Sequence, residues 1–376
     1  MFIWEQPHWP DWQFDMTSLG GLLAAVRHQQ GRLIGRMSAL GFGYQDEAEL
    51  ASLTLEVLKT SEIEGESLAV EQVRSSLARQ LGIAAAALVP ADRHVDGVVD
   101  MMLDATRNYR QPLSRERLFA WHGALFPTGR SGLRQLRVGC WRNDLTGPMQ
   151  VVSGAFGRGK VHYQAPPATE LDQQTDRFFE WFNSEKVGLD PVLKAALAHL
   201  WFVTLHPFED GNGRIARAIG DMALARSEGQ SRRFYSLSAQ LRKNRSGYYR
   251  ILEQTQRGCM DVTPWLGWFL ENLSLALSGA EDTVAQVLRK SRFWDRYRPL
   301  GLNERQVLLL NRLLDGFEGK LTSSKWAQLA KCSQDTALRD ISALLEAGVL
   351  YKQAAGGRST GYELTPEGSN QTLLDP

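Results

Sequence analysis

The sequence predicts a mainly α-helical protein with one β-hairpin set among its helices and a small helix-and-strand module at its C-terminal end. Three observations carry this. Apolar residues recur at helical spacing through most of the chain. Between Gly132 and Pro167, Gly, β-branched and aromatic residues alternate instead, and Val151–Gln164 reads as a hairpin with its turn near Gly157–Gly159. From about Leu302 the pattern becomes three helices followed by two short strands around Gly356 and Gly357, the order of a winged helix-turn-helix.

The opening stretch to Asp15 holds Trp4, Pro7, Trp9, Pro10 and Trp12. Two prolines exclude a regular helix, so the aromatics are expected to pin an extended arm to the body, Trp9 and Trp12 acting as packing anchors. Helical patterning then runs from Thr17 to Lys59, from Val70 to Leu88 and from His94 to Tyr109. Ser114 is a suitable N-cap for a helix restarting after Pro112. After Pro166 and Pro167, helices are expected at 168–182, 191–205, 214–227, 244–256 and 263–277. Three regions follow: 1–110, an N-terminal arm and helical region; 111–298, the hairpin-bearing helical domain; and 299–376, the winged helix-turn-helix.

A chain of 376 residues, 43% hydrophobic and 23% charged, can build a sizeable core without staples. The net charge of +1 gives no overall pull toward nucleic acid or acidic membranes. No signal peptide is recognisable, and no run reaches the roughly 18 apolar residues of a membrane span. Cys140, Cys259 and Cys332 are scattered without CxxC spacing, which points to reduced thiols in a cytoplasmic protein and away from disulfides or zinc.

The chemistry is concentrated between an apolar helix ending at Leu205 and a second helix starting near Arg214. His206-Pro-Phe-Glu-Asp-Gly-Asn-Gly-Arg214 packs a histidine, two acids, an Asn, two glycines and an arginine into one loop. Gly211-Asn212-Gly213 at a helix start suits an anion: glycine permits close backbone approach, and free N–H groups and the helix dipole face the ligand. Arg214 and Arg217 share a helix face and suit a polyphosphate. Asp210 is a hard oxygen ligand for magnesium among phosphates, and His206 is the group able to act as a base near neutral pH. His199, on an apolar helix, reads as core.

HPFEDGNGRIAR resembles the signature of Fic-domain proteins, HxFx(D/E)GNGRxxR, at every defined position. The resemblance extends to the Trp4…Trp9-Pro10…Phe14-Asp15 arm and makes residues 111–298 the expected Fic domain. It implies a protein adenylyltransferase that moves AMP from Mg-ATP to a Ser, Thr or Tyr hydroxyl of a target protein, itself included. His206 would be the catalytic base, and Asp210 would hold Mg²⁺. The Gly211–Gly213 backbone with the Asn212 side chain would stabilise the α-phosphate, and Arg214 and Arg217 would hold the β- and γ-phosphates. Phe208 would seat the loop, and Glu209 would face solvent. The hairpin would be the family's flap, registering a target peptide, with Val161, His162 and Tyr163 along the ATP cleft. Leu241–Tyr249 resembles a stretch bordering the adenine pocket, where Asn244 is the expected contact and Tyr248 or Tyr249 core. The Arg-rich run 232–245 would form a solvated face.

Thr60-Ser-Glu-Ile-Glu64-Gly65 resembles the family's inhibitory motif, (S/T)xxxE(G/N), on a helix at about 50–65 closed by Gly65. It implies autoinhibition: Glu64 stands where a γ-phosphate would sit and pairs with Arg217. Two other readings remain, a winged-helix DNA-binding regulator with a nucleotide-sensing core and a de-AMPylating enzyme. From Gly301 onward nine acidic residues face eight basic ones, which favours protein contact or dimerisation over DNA. A homodimer and no membrane partner are expected.

Overall fold

The computed structural model describes residues 1–83, 89–153, 159–184, 188–314, 316–317, 319–353 and 360–366. It is mainly helical, as its sequence predicts, with three small two-stranded antiparallel sheets among the described residues. The chain clusters into two compact units, Met1–Glu281 and Asp282–Pro376.

In the first unit a 3-10 turn at Ile3–Glu5 opens the aromatic arm. The arm is held along its length. Trp4 donates its indole N–H to the Gln164 carbonyl at 2.8 Å. Trp9 is buried, stacks edge-on with Trp12 and Trp201, and bonds Gln174. Gln13 exchanges backbone hydrogen bonds with residues 260 and 262. Then come α1 (Met16–Ser38), α2 (Phe42–Ile63), α3 (Val70–Leu81), α4 (Arg93–Arg107) and α5 (Arg115–Leu125). Asp15 caps α1 through the Thr17 N–H, and Ser114 caps α5 through that of Arg117. The helix expected to reach Leu88 ends at Leu81 because Gly82 turns left-handed (φ 69°); residues 84–88 lie outside the described set.

Strands β1 (Arg130–Ser131) and β2 (Arg134–Gln135) form a short ribbon, followed by the hairpin of β3 (Gln150–Ser153) and β4 (Lys160–Gln164). The hairpin pairs Val151 with Tyr163 and Ser153 with Lys160, with a bulge between Val151 and Val152. Most of its expected turn, 154–158, lies outside the described residues. After a 3-10 turn at Ala168–Glu170 come α6 (Leu171–Asn183), α7 (Pro191–Leu205), α8 (Asn212–Glu228), α9 (Leu237–Lys243), α10 (Arg245–Gln256) and α11 (Thr263–Tyr297).

The centre of this unit is the α7–α8 pair. Asp190 caps α7 and Pro191 occupies its first turn, where a missing N–H costs nothing. From Leu193 onward α7 is apolar nearly all round and buried but for Lys194, as a helix enclosed by others must be. Trp265 of α11 ties its indole N–H to the Ala196 carbonyl at 2.9 Å. The Arg-rich run is not a uniformly solvated face: Arg233 is buried between Asp221 (3.0 Å) and Glu228 (2.8 Å). α11 continues twenty residues past its expected end at Leu277, so the unit boundary falls within it.

The second unit contains the end of α11, a 3-10 turn at Arg298–Leu300, α12 (Glu304–Leu314), α13 (Ser323–Leu329) and α14 (Gln334–Glu346), then the hairpin β5 (Leu350–Lys352) and β6 (Tyr362–Leu364). Gly356 and Gly357 fall outside the described residues. Its own core joins Phe293 and Tyr297 to Leu309, Leu310, Trp326, Ile341 and Leu344. Thr322 caps α13 and Ser333 caps α14.

One close crossing in the first unit places α5 against α4. A Cβ on Gly97 would overlap the Ala124 carbonyl, whereas one on Gly123 would meet nothing. Gly97→Ala is therefore expected to destabilise the protein by about 1–3 kcal/mol. Gly123→Ala is expected to stabilise it by about 0.5–1 kcal/mol through lost unfolded-state entropy. Urea unfolding midpoints measure both, and a Gly97→Ala midpoint equal to the parent's contradicts the crossing.

Candidate active site

α7 ends at His206, which takes the left-handed conformation (φ 48°, ψ 53°) and reverses the chain away from the helix axis. The bend is held on three sides. Arg142, buried, bonds the His206 carbonyl (2.9 Å), the Pro166 carbonyl (2.6 Å) and the Asp144 carboxylate (2.7 Å), so one guanidinium joins the histidine loop to the end of the hairpin. Phe208 is fully buried and stacks on His122 with ring centres 4.2 Å apart. Asn212 accepts from the Phe208 N–H (2.9 Å) and donates to its carbonyl (2.8 Å). The Asn212 side chain, expected at the α-phosphate, is thus engaged in closing the loop on itself.

His206 has its Nδ1 3.3 Å from the Val203 carbonyl. That contact makes Nδ1 the protonated nitrogen and leaves the Nε2 lone pair free. Burial lowers its pKa to about 4, so the imidazole is neutral at pH 7. It lines a cavity of about 810 Å³ together with Glu64, Gly213, Tyr163, Tyr249 and the hairpin.

Gly211, at φ 80°, caps α8, and a Cβ there would press on the Phe126 ring. Gly213 lies under the Glu64 carboxylate, which a Cβ at that position would displace. Glu64 therefore sits at the positive end of α8, where a phosphate would be favoured. Its Oε1 is 2.7 Å from Arg217 Nη2. Arg217 also donates to the Thr60 hydroxyl (2.6 Å) and the Thr60 carbonyl (2.9 Å). Burial works against the Arg217 charge, and Glu64 together with the Tyr248 and Tyr249 side chains outweighs it, so the Arg217 pKa is raised. Gly65, at φ 87°, ends α2 in the turn that presents Glu64.

Asp210 bonds the Gly211 N–H at 2.6 Å. No group of three or more His, Cys, Asp or Glu positioned for a metal occurs among the described residues. A single carboxylate fits magnesium that arrives with phosphates, because such an ion keeps its waters and takes only one or two protein oxygens.

His162 and Tyr163 line the cavity, and Val161 does not. Tyr163 donates to the Thr204 carbonyl (2.6 Å), fixing the hairpin to α7. His162 stands between Glu253 (2.7 Å) and Ser153 (2.5 Å). Asn244 is exposed and does not line the cavity; Arg245, Ser246 and Tyr249 from the same stretch do. Tyr248 is core, its hydroxyl 2.7 Å from His199. Glu209 does not face solvent. Its side chain is 15% exposed, accepts from the Arg137 N–H and lies in the cavity wall.

Sequence reasoning missed Arg142, Glu66 and His94. Glu66 is 2.6 Å from Arg214 and 3.2 Å from His94 Nε2, and the other His94 nitrogen is 3.2 Å from the Leu125 carbonyl. A second acid two residues after Glu64, opposite a second signature arginine, was the available signal. The hydrogen bond to Glu66 raises the His94 pKa above the usual 6.5. The associated stability is fully present below about pH 6.5 and is lost as pH rises through the raised folded value. NMR titration should find His94 above 6.5 and Glu66→Gln should bring it down; a wild-type value at or below 6.5 contradicts the pairing.

Residues 112–224 match the family model described as Fic/DOC family, and residues 2–83 match one described as Domain of unknown function (DUF4172). Over 145 residues the chain is 32% identical to proteins named Protein adenylyltransferase Fic from Drosophila erecta and Drosophila willistoni. These alignments take in 36% of this chain and 28% of each relative, so the chain spans under a third of the curated relatives it matches. The fold is similar to a Fic family protein from Desulfovibrio desulfuricans G20, with a TM-score of 0.51, 20% identity, and coverage of 92% of this chain and 97% of that one. It is also similar to a Fic domain containing signaling protein from Bacteroides thetaiotaomicron VPI-5482, with a TM-score of 0.50, 18% identity, and coverage of 69% and 98%. The chain thus carries a Fic/DOC-family domain over residues 112–224.

Proposed function

We propose that the protein is an adenylyltransferase that moves AMP from ATP to a protein hydroxyl and is held off by its own Glu64. The observation that carries this reading is His206: a neutral imidazole with its Nε2 free, lining the cavity beside the N-terminus of α8.

The target hydroxyl oxygen attacks the α-phosphorus as His206 Nε2 takes its proton, and the bond to the bridging oxygen breaks to release pyrophosphate. The Gly211–Gly213 backbone at the helix start stabilises charge on the α-phosphate, while Arg214 and Arg217 are the natural holders of the β- and γ-phosphates. Asp210 is the residue to hold Mg²⁺, which would neutralise phosphate charge. The exposed strand β3, along the cavity wall, suits a target peptide laid against its free edge.

Glu64 occupies Arg217 and covers Gly213, so a γ-phosphate and Glu64 compete for the same guanidinium. The helix–helix–helix–strand–strand order from Glu304 onward supports a winged helix-turn-helix, used for protein contact because residues 301–376 carry nine acids against eight bases.

Purified variants incubated with labelled ATP and a cell lysate, followed by mass spectrometry of modified peptides, test the reading. Glu64→Gly is expected to raise AMP transfer about tenfold or more, the scale of one charge-assisted contact restored to the nucleotide. His206→Ala in that background is expected to lower it about 10²–10⁴-fold. Absence of transferred nucleotide on any protein, the enzyme included, contradicts the transferase. Equal transfer by wild type and Glu64→Gly contradicts the inhibition.

A further inference from the structure

We infer that Glu66 is a second gating carboxylate, acting on Arg214 as Glu64 acts on Arg217, and that the two acids together make the resting site select a nucleotide with one phosphate over a nucleoside triphosphate. This rests on the transferase reading only in assigning the two arginines to the β- and γ-phosphates.

The residues reach this arrangement through one turn. Gly65 adopts φ 87°, and the Glu66 N–H folds back to the Ser61 carbonyl at 3.0 Å. Side chains on either side of that glycine then meet consecutive arginines on one face of α8. Glu64 Oε1 meets Arg217 at 2.7 Å, and Glu66 Oε2 meets Arg214 at 2.6 Å. The arginine side chains are 2% and 1% exposed, while the acids are 31% and 33% exposed. The cations are thus fixed in the body, and the anions are the parts free to leave.

Each guanidinium also keeps a donor in reserve. Arg217 Nη1 and Arg214 Nε are buried and have no hydrogen-bond partner. A buried charged donor left unanswered is costly, so both forks are incompletely satisfied by the acids that hold them. A phosphate has more acceptor oxygens than one carboxylate and can answer both donors of a fork. Neither arginine lines the cavity, although Glu64, Gly213 and His206 do. A ligand entering this resting state meets the helix start and the histidine before it meets either arginine.

His94 supplies what a gate needs, a partner for the acid after it lets go. Its two ring nitrogens face two acceptors, Glu66 and the Leu125 carbonyl. Both contacts are donated only by the imidazolium. Arg214, close to this pair, opposes the His94 charge. When phosphate takes Arg214, Glu66 retains His94 and moves toward solvent without becoming an unpaired buried anion.

Calorimetric affinities of AMP, ADP and ATP for the full chain and for Glu64→Gly, Glu66→Ala, Glu66→Gln and the Glu64→Gly/Glu66→Ala double variant read the gate directly. Glu66→Ala is expected to tighten ATP about tenfold while moving AMP less than about twofold. The double variant is expected to exceed Glu64→Gly by a further factor of about ten for ATP. If Glu66→Ala does not fold by thermal melting, Glu66→Gln, which removes the charge at constant volume, carries the same expectation. A folded Glu66 variant whose ATP-to-AMP affinity ratio is unchanged, or whose ATP affinity falls, overturns the inference, since Glu66 would then only position Arg214. Affinities that shift as stated with no AMP transfer by any variant would leave the gate standing and remove the transferase.

Discussion

Two guanidinium groups, Arg214 and Arg217, stand one turn apart in the first half of α8, almost wholly removed from water. Burying such charges is tolerable only if an anion meets them. In this chain the anions come from the end of α2, across a left-handed glycine. That constraint links the N-terminal helices to the signature loop more tightly than apolar packing alone would. On the proposed function, the identity of the anion, internal carboxylate or bound phosphate, is the variable that sets the state of the site.

The surrounding fold is arranged to keep these partners in place. The apolar α7 delivers His206 at a left-handed bend, and the buried Arg142 holds that bend against the hairpin. Phe208 and Asn212 close the loop from within, so the glycines that follow need no side chains to fix them. Phe126, at the end of α5, lies under the Arg214 guanidinium at 5.1 Å. The loop and Arg214 are thus held by contacts on every side described above. The β3 side chains are exposed, and those of Glu64 and Glu66 are about a third exposed.

Much of this was legible in the sequence because local chemistry decides it. The bounds of α7 follow from Asp190, Pro191 and an unbroken apolar run, and the loop announces itself by its own residue types. The end of α11 was not legible, because polar residues after Leu277 break the apolar periodicity while still favouring helix. α9 was missed because seven residues give too little periodicity, although Ser236 caps it. Arg233 read as solvated because nothing local reveals that Asp221 and Glu228 enclose it. Glu66 was hidden in the same way. Its partner lies 148 residues away, and a resemblance that assigns Glu64 is silent about the acid two places on.

On the proposed function, Glu64 satisfies a buried cation which nucleotide satisfies instead when it binds. Unfolding of wild type and Glu64→Gly, each with and without Mg-ATP, measures it most directly. Without nucleotide the variant should be less stable by about 1–3 kcal/mol, the cost of leaving one buried charged group unanswered. Mg-ATP should then stabilise the variant more than the wild type. A variant as stable as its parent without nucleotide, or an equal gain from Mg-ATP in both, would contradict the account.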